Sequence, residues 1–145
     1  MMTKAVKTPM WHWLVSGAGL IWNLFGLMIY VSTVSATSEE LAAVYDEMEV
    51  RFIESIPVWA TSANAIAVTA GVIGCLLLLM RRSLAMPVFL ISLAALIVQD
   101  LHAFVLNDVI AVFGRVPAYI QGSVLVIAIA LIFYTWRMGK RGLLK

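Results

Sequence analysis

Long apolar stretches alternate along this chain with short polar segments. Residues 8–38, 55–80 and 116–136 hold no Asp, Glu, Lys or Arg, and 83–99 hold none before Asp100. About 20 apolar residues in helical conformation cross the hydrocarbon core of a bilayer. The pattern therefore predicts four transmembrane helices, over approximately 11–34, 56–80, 84–107 and 117–137. An even number of spans joined by short connections predicts an all-α integral membrane protein, an antiparallel four-transmembrane-helix bundle.

Between the first two stretches the pattern changes from uniformly apolar to periodic. Thr37 and Glu40 stand at capping-box spacing, and Leu41, Val44, Tyr45, Met48 and Phe52 then recur at helical intervals. One short amphipathic helix is predicted over about 38–54, lying on the outer surface. Its acids Glu39, Glu40, Asp46, Glu47 and Glu49 lack the spacing of a calcium loop and read as a solvated face.

Composition limits the domain count. With 145 residues, 63% of them hydrophobic, the chain has room for a single membrane domain over 1–145 and for no soluble domain of independent size. Val34-Ser35-Ala36 has the small-residue form of a signal-peptide cleavage site, but the preceding apolar run is too long for one, so retention as a span is expected.

Charge then orients the spans. Lys4, Lys7, Arg81, Arg82, Arg137, Lys140, Arg141 and Lys145 fall in the two tails and the second connection, whereas all eight acids fall in the other two connections or near them. Cations collect on the cytoplasmic side. This predicts a multi-pass protein of the bacterial cytoplasmic (inner) membrane with both termini cytoplasmic. The net charge of +2 is accounted for by these flanking residues, so lipid rather than nucleic acid is the expected partner.

Chemistry-bearing residues are few. Cys75 is the single cysteine, which excludes paired-thiol redox chemistry. His12 stands at the cytoplasmic edge and His102 near the outer face, too far apart in depth to clasp one haem iron, and zinc lacks ligands. Ser, His and Asp occur without a triad spacing or a strained-turn motif. No enzyme, metal or cofactor is expected.

One polar layer stands out. At about 1.5 Å of rise per residue, Gln99, Asp100 and His102 lie roughly 22–27 Å above the cytoplasmic boundary. Asn64 and Gln121, on descending helices, fall at similar height. Trp59 and Tyr119 lie just above, Trp22 and Asn23 somewhat below. Amides, a carboxylate and an imidazole beside aromatic faces suit a small polar solute; the bland reading is polar contact between helices. His102 and Arg115 are the candidate partners of Asp100. Gly19, Gly26, Ala67, Gly71 and Gly74 are the expected helix-packing positions, since small residues let helix backbones approach within lipid.

The runs Ser16-Gly17 through Trp22-Asn23-Leu24-Phe25-Gly26, Ile56-Pro57-Val58-Trp59, Gly71-Val72-Ile73-Gly74 leading to Arg81-Arg82, and Met86-Pro87-Val88-Phe89-Leu90 resemble a family of small bacterial four-span membrane proteins. Members often carry the label "sugar transporter". The resemblance implies a four-span fold and makes solute transport an expectation, with no binding residues to carry over. Two functions are thus expected in competition. One is binding or transport of a small polar solute, as a homo-oligomer, since four helices enclose little volume. The other is an accessory or assembly subunit of a larger membrane complex.

Overall fold

In a computed structural model the described residues, 6–145, are helical, with no strand among them; Lys4 lies outside this range. The elements are α1 (Met10–Ser35), α2 (Ser38–Ala42), α3 (Glu47–Glu54), α4 (Val58–Leu79), α5 (Ala85–Asp100), α6 (Val109–Phe113) and α7 (Val116–Lys140). A π-helical turn over Leu101–Leu106 prolongs α5. Four helices are long and apolar enough to cross a membrane: α1, α4, α5 with its π turn, and α7. These make the chain a multi-pass, all-helical membrane protein.

α4 is the central helix, packed against both α1 and α5, and α5 also packs against α7. Its buried face consists, apart from Leu78, of small residues, among them Ala63, Ala67, Ala70, Gly71 and Gly74. In lipid no hydrophobic gain separates helix contact from tail contact, so close approach and hydrogen bonds decide the packing. Both occur here. The ring of Phe89 lies where a side chain on Gly74 would stand, and the Asn23 side chain occupies the corresponding space at Gly71. Ser92 Oγ donates to the Ala67 carbonyl at 2.7 Å.

α1 and α7 meet at one end only. The buried residues of α1 are His12, Ser16 and Gly19, all in its first half. Those of α7 are Leu131, Thr135 and Met138, all in its second half. Trp11 packs edge-on against Tyr134 with centroids 5.4 Å apart, and a Cβ on Gly19 would lie 3.2 Å from Leu131. Beyond these contacts neither helix has a buried residue, so the pair spreads apart.

At the joined end the carboxy-terminal residues fold back onto the connection between α4 and α5. The Arg82 amide returns to the Leu77 carbonyl and the Arg81 amide to that of Leu78, the double bond pattern of a helix end with a left-handed residue. Arg81 takes that conformation, with φ 57°, where glycine is the usual occupant. Its side chain shows why. Arg81 Nε donates to the Leu143 carbonyl at 2.9 Å, while Lys145 N donates to Arg81 O and Ser83 N to Lys145 O, each at 2.7 Å.

The segment between α1 and α4 differs from the single amphipathic helix expected over 38–54. It is two helices, α2 and α3, because Asp46 and Glu49 form a second capping box that starts a new helix and interrupts the first. The expected stripe is broken with it: Leu41 is buried, Val44 and Met48 are exposed, and Tyr45 and Phe52 set their rings edge-on to Phe113. Phe113 belongs to α6, a short helix in the connection between the expected third and fourth spans, where the sequence pattern predicted none.

Candidate functional site

The spreading of α1 from α7 opens a crevice of about 620 Å³. Phe89 and Leu131 line its closed end, Leu41 and Glu54 its mouth, and Phe25 with Ile120 stand on its two exposed lips. From Gln121 to Leu131 along α7 it is about 15 Å deep, at 1.5 Å per residue. Its volume lies within the range of about 300–1,000 Å³ that holds small ligands.

Most of the wall is apolar, and polar groups gather toward the mouth. Gln99, His102, Asn64 and Gln121 all line the crevice. Gln99 Oε1 is buried and has no hydrogen-bond partner among the described residues. Such an acceptor is unusual, because a buried polar atom left unmade costs about 1–3 kcal/mol.

His102 is held in one orientation by the π turn. A π turn brings residues five apart together, and the Asn107 amide N–H bonds the His102 carbonyl at 3.0 Å. Asn107 Nδ2 lies 3.0 Å from that same carbonyl and 3.1 Å from His102 Nε2. A carbonyl only accepts, so the donor is the Asn107 amide nitrogen and Nε2 is an acceptor. The ring proton is therefore on Nδ1. Trp59 meets the imidazole edge-on at 5.2 Å.

The remaining positions named from sequence divide in two. Trp22 and Asn23 line the crevice nearer its closed end. Asn23 Nδ2 donates to the Gly19 carbonyl at 2.8 Å and contacts Cys75 Sγ at 3.5 Å, which makes it a fixed part of the α1–α4 contact. Three positions are corrected. Asp100 is not part of the crevice lining and accepts at 2.6 Å from Nε2 of Gln121, which is, so its partner is neither His102 nor Arg115. Trp59 touches His102 from outside the cavity lining, and Tyr119 is exposed on the far side of α7 beside Gly122 and Ser123. The α7 helix turns Gln121 inward, and Tyr119, two residues earlier, then points away. Of the packing positions, Gly19, Ala67, Gly71 and Gly74 are buried between helices, whereas a Cβ on Gly26 would find Val68 at an ordinary 3.8 Å.

Sequence reasoning missed Ser92 and Asn107. Ser92 lines the crevice and stands seven residues before Gln99, hence on the same helical face, a signal that was legible. Asn107 had no such signal, since a register of five is foreign to the α-helix.

Beyond the closed end lies a second polar contact. His12 is fully buried, with Nε2 donating to the Leu78 carbonyl at 3.0 Å and Nδ1 placed 2.7 Å from the Tyr134 hydroxyl. With the proton on Nε2, Nδ1 of the neutral ring accepts from Tyr134. This joins α1, α4 and α7 across the base of the crevice. Among the described residues no three His, Cys, Asp or Glu side chains gather as a metal site would require.

No family model, curated protein or solved structure matches the chain.

Proposed function

We propose that this protein binds a small solute carrying a hydrogen-bonding group, in the crevice between its first and last helices, and that it does so as an antiparallel four-helix bundle of the bacterial inner membrane. The bundle reading is supported by contacts whose numbers fall along one helix as they rise along the next: His12 with Leu78 and Asn23 with Cys75, or Gly74 with Phe89 and Ala67 with Ser92. The termini are read as cytoplasmic from Lys7, Arg81, Arg82 and Arg137 at the joined end. The crevice mouth then faces outward, and α2 and α3 lie over it.

The observation that carries the solute reading is that Gln99, whose Oε1 has no partner among the described residues, lines the crevice together with His102 and Asn64. Because the His12–Tyr134 contact joins α1 to α7 beyond the closed end, one chain in this state offers a pocket rather than a conduit. Transport, which the likeness to four-span bacterial proteins raises, requires that contact to open or a second copy to complete the path. A competing reading, an accessory subunit, draws on the exposed Val44 and Met48 as a docking surface.

Thermal unfolding of the purified protein against neutral, cationic and anionic polar solutes and single-chain amphiphiles tests the proposal. A stabilising shift with at least one compound, lost in Gly26→Phe, which fills the crevice from α1, supports it. No compound acting on wild type overturns it.

A further inference from the structure

The walls of the crevice specify more than a polar solute. From the Gln99 layer down to Leu131 and Phe89 the lining is dominated by apolar side chains, and a sugar or amino acid lying there would leave its own polar groups unpaired. The side between α1 and α7 is open, flanked by exposed Phe25, Ile29 and Ile120, so in a bilayer it faces acyl chains. The polar end holds one buried acceptor with no partner among the described residues, Gln99 Oε1, and one ring donor, His102 Nδ1–H. A hydroxyl both donates and accepts, and so matches the two together.

Charge completes the specification. Among the described residues Glu54 at the mouth is the single charged member of the lining, which includes no Lys or Arg. A phosphate or carboxylate head would find no counter-charge. We propose that the ligand is an uncharged, hydroxyl-headed amphiphile with one apolar chain, which enters sideways from the outer leaflet between α1 and α7. Its head lies between Gln99 and His102, and its chain points toward Leu131. This deepens the solute-binding reading above and rests on it.

The experiment is native mass spectrometry of the full chain in an amine-oxide detergent, whose head carries no hydroxyl, titrated with glycerol monolaurate, dodecyl phosphate or dodecane. These probes share a chain that suits the depth of about 15 Å and differ in the head. The expected result is a saturable one-to-one adduct with glycerol monolaurate, at least about tenfold weaker association of dodecyl phosphate, and none of dodecane. Gln99→Leu removes an acceptor that the folded protein leaves unpaired, so it is expected to fold with unchanged or higher thermal stability. It should bind glycerol monolaurate at least about tenfold more weakly. Equal binding of dodecyl phosphate, or undiminished binding by a folded Gln99→Leu, overturns the inference. A dimer that takes up no probe overturns it as well, since a second copy then covers the crevice. Stabilisation by free glycerol or a sugar without uptake of glycerol monolaurate overturns the amphiphile but leaves the solute site standing. If no compound or probe binds, both readings fail.

Discussion

The ring of Phe89 rests directly on Gly74, so close that a Cβ added to the glycine would come within 2.6 Å of Phe89 Cε1. Phe89 is itself buried and also walls the closed end of the crevice. The glycine thus sets the spacing of α4 and α5 and, through it, the depth of the site.

Gly74→Ala is therefore expected to lower stability by about 1–3 kcal/mol, the usual range for overpacking. Gly74→Ala with Phe89→Leu should recover part of the loss, because the smaller side chain yields the space. Gly26→Ala, with only Val68 at 3.8 Å, should be neutral or stabilising by up to about 1 kcal/mol through helix propensity. Thermal or denaturant unfolding of the variants checks the order. Equal effects at Gly74 and Gly26 would contradict this account of the packing.

The carboxy terminus yields a second prediction. Leu143 is 2% exposed, and the Lys145 backbone bonds both sides of the connection between α4 and α5. Deleting 143–145 removes a buried leucine, worth about 1.5–3 kcal/mol. It also takes away the bonds that hold Arg81 in a left-handed conformation. Faster proteolysis at the 80–84 connection is the expected outcome. In the truncated chain Arg81→Gly should restore part of the stability, since glycine adopts that conformation without strain.

The long helices were legible because each is a run of apolar residues of bilayer length, a signal that local competition cannot erase. Their observed limits lie within a few residues of the expected ones. The outer segment was misread because its apolar stripe continued across Asp46. The Asp46–Glu49 capping box was equally present in the sequence, and where the two signals conflict the cap ended the helix. The polar layer was legible as a depth, from helical rise. Which members face inward was not, because the register of α7 and the π turn after α5 decide it. Asp100 and Tyr119 left the site for that reason.

The His12–Tyr134 pair supplies a third prediction. Tyr134→Phe removes one hydrogen bond at the joined end, and the loss expected is about 0.5–1.5 kcal/mol. His12→Leu should lose more, because it also removes the bond to the Leu78 carbonyl and leaves the Tyr134 hydroxyl without its partner. A double-mutant cycle should return a coupling of about 0.6 kcal/mol, typical of hydrogen bonds between helices in membranes. A coupling of zero would mean that the contact does not join α1 to α7. If closure of this end restrains transport, Tyr134→Phe should also accelerate it.

Asp100 and Gln121 give the sharpest sign. Asp100 Oδ1 accepts from Gln121 at 2.6 Å, while Oδ2 is buried without a partner among the described residues. Removing one member of a buried pair leaves the other unsatisfied, whereas replacing both by apolar groups is close to neutral. Gln121→Leu is therefore expected to destabilise by about 1–3 kcal/mol. Asp100→Leu removes a carboxylate that is only half satisfied and leaves the amide of Gln121, which lines the crevice and is reached by water there, so it should cost less than Gln121→Leu. The double variant should regain the stability lost in Gln121→Leu. Asp100→Leu should also leave ligand binding intact, because Asp100 is not part of the crevice lining, and in this it differs from Gln99→Leu, one residue earlier in the chain. Loss of binding in a well-folded Asp100→Leu variant would return Asp100 to the site.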